Sequence, residues 1–208
     1  VYEGANAEID PVQAASYITD ETDVLLVQFE TKEDAVVECV KRAVQKGITT
    51  VVDCGPAKAF ALERMQGVTI LSPNESETRV YTGIAPNTEE NCLRAAIKLS
   101  SMVDARYIIL KLGDRGAFLY DGREYYVVPA EDVPVVDTTA AGDVFTAALT
   151  YWYLEKGNIL AAMDFAGCAA GISISRPGAS PSVPTLAEVM AYNKERREKK
   201  KAADKAGE

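Results

Sequence analysis

The stretch DVLLVQFETKEDAVVECVKRAVQKGITTVVD, residues 23–53, decides the fold class. Val24 to Phe29 is apolar except for Gln28, the pattern of a strand covered on both faces. Val36, Val37, Val40 and Val44 then recur at helical spacing, and Gly47 closes the helix. Thr31 and Asp34 read as a capping box that opens it. Ile48 to Val52 is a second, β-branched strand. Two covered strands joined by a helix predict a parallel crossover, and hence an α/β protein.

The same alternation continues outward. Asp10 and Pro11 open a short helix to about Tyr17, with Asp10 as N-cap and Pro11 at the first helical position. Val68 to Leu71 and Tyr107 to Leu112 are further strands, and between them Asn87 and Glu90 start a helix with Leu93, Ala96 and Ile97 on one face. Ala117 to Tyr120 and Glu124 to Val128, joined through Asp121-Gly122, form a hairpin that adds antiparallel strands. Helices follow from Gly142, from Asn158 to about Ile174, and from Thr185 onward. The expected architecture is a three-layer α/β/α sandwich with a mostly parallel sheet.

With 208 residues, 48% of them hydrophobic, the chain can bury one substantial core, and one domain over 1–192 is expected. Lys194 to Glu208, with Lys199, Lys200 and Lys201 in a row, reads as a solvated, frayed tail. A net charge of −9 argues against a nucleic-acid partner or an anionic membrane surface. No apolar run approaches the roughly 20 residues of a membrane span, and no signal peptide is visible. Cys39, Cys54, Cys92 and Cys168 form no CxxC pair and suit a reduced, cytoplasmic protein. The absence of histidine excludes Ser/His/Asp and Cys/His catalysis and any histidine-ligated metal.

The chemistry concentrates in DTTAAGD, residues 137–143, which runs into VFTAALTYW. Phe145, Ala148, Leu149 and Trp152 give the following helix a face to bury, so its first turn points N–H groups at the loop Ala140-Ala141-Gly142. Those groups and the positive end of the helix dipole suit an anion such as a transferring phosphate, which small side chains allow to reach the backbone. Asp143 stands where a base for an attacking hydroxyl is needed. The alternative is plain capping by Asp137 or Thr139.

Ligands of open parallel sheets bind beyond the carboxyl ends of the strands. Here those ends carry Glu30, Asp53, the turn Ser72-Pro73-Asn74 with Glu75 and Glu77, and the loop Gly113-Asp114-Arg115-Gly116. Asn74 and Glu77, three apart at a helix start, suit Mg²⁺ through its waters or else form a capping pair. Gly113 and Gly116 permit a tight turn and the approach of a flat ligand. Ser173 to Pro184, SISRPGASPSVP, offers carbonyls and hydroxyls to a monovalent cation, or is a helix-terminating loop. GxGxxG after a strand and GxxxxGK[ST] are both absent, so Rossmann and Walker sites have no support.

These pieces in this order resemble the ribokinase-like (PfkB) carbohydrate kinases. DTTAAGD is similar to the family's D-T-x-[GA]-A-G-D signature, SPNESE at 72–77 to its Asn-x-x-Glu motif, LGDRG at 112–116 to its nucleotide loop, and SRPGASPSVP at 175–184 to a cation loop. GANA at 4–7 and VQFE at 27–30 also match, and the agreement runs from Val1 to about Tyr192. The resemblance implies ATP-dependent phosphorylation of a sugar's primary hydroxyl, ribose first, with fructose, 2-keto-3-deoxygluconate and nucleosides as alternatives. It implies Asp143 as base, an anion hole from the N–H groups of Ala140, Ala141, Gly142 and Asp143, and Glu30 near the sugar. Asn74 and Glu77 would organise Mg²⁺ and the ATP phosphates, and Lys111, Gly113 and Gly116 would lie along the nucleotide. K⁺ would sit among Asp137, Thr139, Ser173, Arg176, Gly178 and Ser182.

Lys111 stands where such kinases commonly have Thr, and DCGPA at 53–57 departs from their usual form. The resemblance also implies a longer amino end, bearing the first strands of the sheet, a β lid that serves as a dimer contact, and a sugar-gripping segment. Residues 1–208 hold no substitute for these, so the chain alone is expected to show little sugar kinase activity. A non-catalytic nucleotide-binding relative is the competing expectation.

Overall fold

The computed structural model describes residues 4–206; Val1, where the resemblance begins, and the last two tail residues lie outside the described residues. The chain divides into two compact units. The first comprises residues up to Gly113 together with Ala117–Val127, and the second Asp114–Gly116 together with everything from Val128 onward.

The first unit carries the sheet. Its strands are β1 (Val24–Val27), β2 (Thr49–Asp53), β3 (Ile70–Ser72), β4 (Tyr107–Lys111), β5 (Ala117–Tyr120) and β6 (Tyr125–Val128), whose last residue opens the second unit. They lie in the order β1-β2-β3-β4-β5-β6. The pairs β1–β2, β2–β3 and β3–β4 are parallel, and β4–β5 is antiparallel. This is the α/β fold with a mostly parallel sheet that strand and helix alternation predicts. The crossovers include α2 (Glu33–Gln45), α3 (Glu75–Thr82) and α4 (Glu89–Val103), and α1 (Pro11–Ser16) precedes β1. Asp10 caps α1 by accepting from the Gln13 N–H at 2.7 Å, as its sequence position predicts.

Beneath the sheet, Val37, Val40, Val52, Leu71, Leu99, Ile108 and Phe118 are fully buried in one cluster. Phe29 stacks on Phe60 with ring centroids 3.9 Å apart. At about 1.5–3 kcal/mol for each large apolar side chain buried, the valine face of α2 outweighs a cap worth about 1 kcal/mol. Indeed α2 has no side-chain cap: its N-cap is Lys32, and Thr31 does not fill the predicted role. The Glu33 and Asp34 carboxylates instead each accept from Arg64 at 2.7 Å.

The second unit is helical, with α5 (Ala141–Lys156), α6 (Ile159–Ile174) and α7 (Leu186–Ala206). Val144, Phe165, Cys168, Ala169, Ile172 and Val189 form its core, and Trp152 stacks on Phe165 with centroids 4.2 Å apart. The Glu131 carboxylate accepts from Tyr192 Oη at 3.0 Å and from Arg196, which also bonds Asp164. These contacts anchor α7 past residue 193, and the helix continues without a break to Ala206 within the segment read as a tail.

Candidate active site

In the second unit the decisive feature is how α5 begins. It starts at Ala141, and its N-cap, Ala140, has φ +62° in the left-handed region with no side-chain capping bond. A non-glycine residue there costs about 1–2 kcal/mol, and such strain clusters at functional sites. Neither Asp137 nor Thr139 caps the helix: they bond each other, and Asp137 also turns to Gly178. Asp137 Oδ1 accepts from Thr139 N at 2.9 Å and from Thr139 Oγ1 at 2.6 Å, and Oδ2 accepts from Gly178 N at 2.9 Å. The Thr139 hydroxyl, then the Thr139 and Gly178 amides, hold the Asp137 carboxyl below its ordinary range. The small-residue loop and the positive end of α5 are thus left clear of side-chain caps. Asp143 lies in the first turn of α5 and is exposed.

The segment 173–184 locks onto this loop. Val136 N and Asp137 N both donate to Ile174 O, at 2.8 and 3.2 Å. Ser173 Oγ and Ser182 Oγ, both buried, lie 2.9 Å apart, and Ser182 Oγ donates to Ala179 O at 2.7 Å. Asp137, Thr139 and Gly178 are therefore brought together, with Ser173 and Ser182 paired in the same segment. Arg176 differs: its guanidinium turns to Glu188 at 2.6 Å, and with Thr185 it holds that carboxyl down at about 2. Among the described residues no group of three or more His, Cys, Asp or Glu side chains could hold a metal ion. A cation here would rest on main-chain and hydroxyl oxygens beside Asp137, a donor set of hard oxygens.

In the first unit the carboxyl ends of β2, β3 and β4 converge. Asn74 and Glu77 form a capping box at α3: Asn74 Oδ1 accepts from Glu77 N at 2.9 Å and Glu77 Oε2 accepts from Asn74 N at 2.7 Å. Glu77 Oε1 also accepts from Asn74 Nδ2 at 2.8 Å. Capping is thus realised, and it aims the carboxylate rather than removing it. Burial pushes the Glu77 carboxyl above its ordinary range, against the Asn74 amide and the Lys111 ammonium. Lys111 Nζ donates to Asp53 Oδ2 at 2.6 Å, and Lys111 N donates to Pro73 O at 2.9 Å. Asp53 and Glu77 are only 3% and 4% exposed. A Cβ at Gly55 would lie 3.3 Å from Glu77 Oε1 and 3.7 Å from Asp53 Oδ1, so the two carboxylates approach one point. Asp53 is the site residue that motif spacing undervalues; its signal was a carboxylate ending the apolar strand TTVVD.

The remaining candidates are simply placed. Glu30 is exposed after β1, and its carbonyl accepts from Asn6 Nδ2 at 3.3 Å. Gly113, at φ +59°, has space beside it, with Glu75 Oε2 at 3.8 Å from a built Cβ. Gly116, at φ +85°, has none: its Cβ would fall 2.0 Å from Val128 O. The two glycines of the loop thus serve different needs.

The model of the pfkB family of carbohydrate kinases matches residues 1–186. The bifunctional ribokinase/ribose-5-phosphate isomerase A of Fructilactobacillus sanfranciscensis is 33% identical over 91% of this chain and 36% of its own length. The ribokinase of Arabidopsis thaliana, solved with ribose and ATP, superposes with a TM-score of 0.85 at 27% identity, over 93% of this chain and 64% of that one. Thermotoga maritima ribokinase gives a TM-score of 0.80 at 35% identity, again over 93% and 64%. The chain therefore spans at most about two thirds of each of these relatives.

Proposed function

The chain belongs to the pfkB family of carbohydrate kinases, and on that premise we propose that it carries the catalytic and nucleotide-side residues of an ATP-dependent kinase acting on a sugar's primary hydroxyl. The observation that supports this most is the start of α5, where a strained Ala140 and the absence of any side-chain cap leave a helix N-terminus suited to an anion beside Asp143. In this reading Asp143 takes the proton of the attacking hydroxyl, and the N–H groups of Ala140, Gly142 and Asp143 steady the transferring phosphoryl oxygens, while Ala141 N donates to Thr138 O at 3.2 Å. Phosphoryl transfer asks for positioning and charge neutralisation more than for covalent chemistry, and the helix start with Asp143 in its first turn suits that demand. Lys111 and Gly113 line the nucleotide, and Glu30 orients the sugar.

Asn74 and Glu77 would hold Mg²⁺ through its waters, which fits a carboxylate already engaged in a capping box and the lack of a protein cage among the described residues. Bound there, the ion would neutralise phosphate charge. Asp137, with Thr139, Gly178 and oxygens of the segment that holds Ser173, Arg176 and Ser182, would hold K⁺, which would add positive charge beside the loop. Arg176 would contribute there by its main chain, since its side chain pairs with Glu188. Free thiols at Cys39, Cys54, Cys92 and Cys168 support a reducing, cytoplasmic setting.

Ribose is the favoured acceptor because the ribokinases above are similar over nearly the whole chain. A panel of ribose, deoxyribose, fructose, 2-keto-3-deoxygluconate and nucleosides, assayed with the natural polypeptide containing this chain, ATP, Mg²⁺ and K⁺, tests it. Ribose-dependent ADP release with the phosphate on the 5-oxygen is the expected result. Nucleotide binding with no acceptor-dependent ADP release would favour the non-catalytic relative instead.

A further inference from the structure

The ion pair that Lys111 makes with the buried Asp53 has no assigned part in the metal site above, yet it borders the Glu77 carboxylate. The ammonium, 13% exposed, sits 2.6 Å from a carboxylate that is 4% exposed. Asp53 and Glu77 both reach within 4 Å of one point beside Gly55, and the ammonium that pairs with Asp53 also acts electrostatically on Glu77. Asn74 and Lys111 are bridge partners, which keeps the ammonium's strand against the capping box. Ser72, the register partner of Asp53 on β3, has its Oγ buried with no hydrogen-bond partner among the described residues. A buried hydroxyl left so at the register position of Asp53 fits a place completed by water or by a ligand oxygen.

We propose that Lys111 sets this site's demand for divalent cation, its ammonium on Asp53 standing in for a second positive charge and weakening metal binding there. The inference rests on the proposed kinase reading. A lysine is suited to the role, being a compact charge on a flexible stem that exchanges partners more readily than a guanidinium fork. One unit charge removed from beside a divalent ion in a partly buried site is worth about tenfold in affinity.

The probe is Mn²⁺, titrated into the 208-residue chain with ADP and followed by electron paramagnetic resonance, with folding checked by circular dichroism. Lys111→Met should bind Mn²⁺ about tenfold tighter than the parent, and Lys111→Arg, which keeps the charge, within about twofold of it. Should Lys111→Met fail to fold once Asp53 loses that ammonium, a second comparison decides: Asp53→Asn/Lys111→Met should bind about tenfold tighter than Asp53→Asn. Equal affinities in the comparison available overturn the proposal while leaving the kinase reading intact. Failure of the parent chain to bind Mn²⁺ with ADP at all would overturn both.

Discussion

Asp143→Asn is expected to slow phosphoryl transfer by about 10²–10⁴-fold, the usual contribution of a positioned general base. The substitution keeps shape and removes only the proton acceptor. Asp143 is exposed in the first turn of α5, so no core packing depends on it. Nucleotide affinity should therefore stay within about threefold, and kcat and kcat/KM should fall together, the mark of an interaction made only in the transition state. The natural polypeptide containing this chain is the object to assay, by ADP release and by nucleotide titration. Near-normal turnover in the variant would remove Asp143 from the role of base.

Gly116→Ala should be the most damaging single-methyl change in the chain. The new Cβ would lie 2.0 Å from Val128 O, 2.6 Å from Ala130 N and 2.6 Å from Pro129 C, all backbone atoms, at φ +85°. No side-chain rotation relieves such a clash, so strand and loop must separate. A loss above about 4 kcal/mol is expected, enough to consume much of an ordinary domain's stability. Gly113→Ala is the internal control: its φ of +59° carries strain, but the nearest atom is 3.8 Å away, so a loss of about 1–2 kcal/mol is expected. Urea unfolding of both variants measures the difference. Equal, small losses would mean that Gly116 does not meet that strand as described.

The contrast between these glycines shows what the sequence could convey. LGDRG announced a tight loop after a strand, but not that one glycine is fixed by backbone approach and the other by conformation alone. Periodicity was a sound guide in α2 and β2, where the apolar face is written in the order of residues; β1, read as covered on both faces to Phe29, instead ends at Val27 as the edge strand, with Leu26 43% exposed. Asn74 and Glu77 were legible as a pair since a capping box is local, and so was the cap at Asp10. Thr31 was misread because Glu33 and Asp34 are claimed by Arg64, 30 residues further on, which spacing does not reveal. The pairing of Asp53 with Lys111, 58 residues apart, was hidden for the same reason. At α5 the sequence left two readings open, and geometry removes the capping one: Asp137 turns to Thr139 and Gly178 rather than to the helix.

The central claim is that the uncapped start of α5 receives the transferring phosphoryl group. Hydrogen exchange of the backbone amides from Ala140 to Asp143 tests it most directly, measured with Mg²⁺ and ADP, with and without aluminium fluoride and ribose. The account predicts that exchange at Gly142 and Asp143 slows about tenfold or more when the phosphoryl mimic is present, because those N–H groups acquire an acceptor. Unchanged exchange at these amides, with protection appearing elsewhere in the chain, would contradict it.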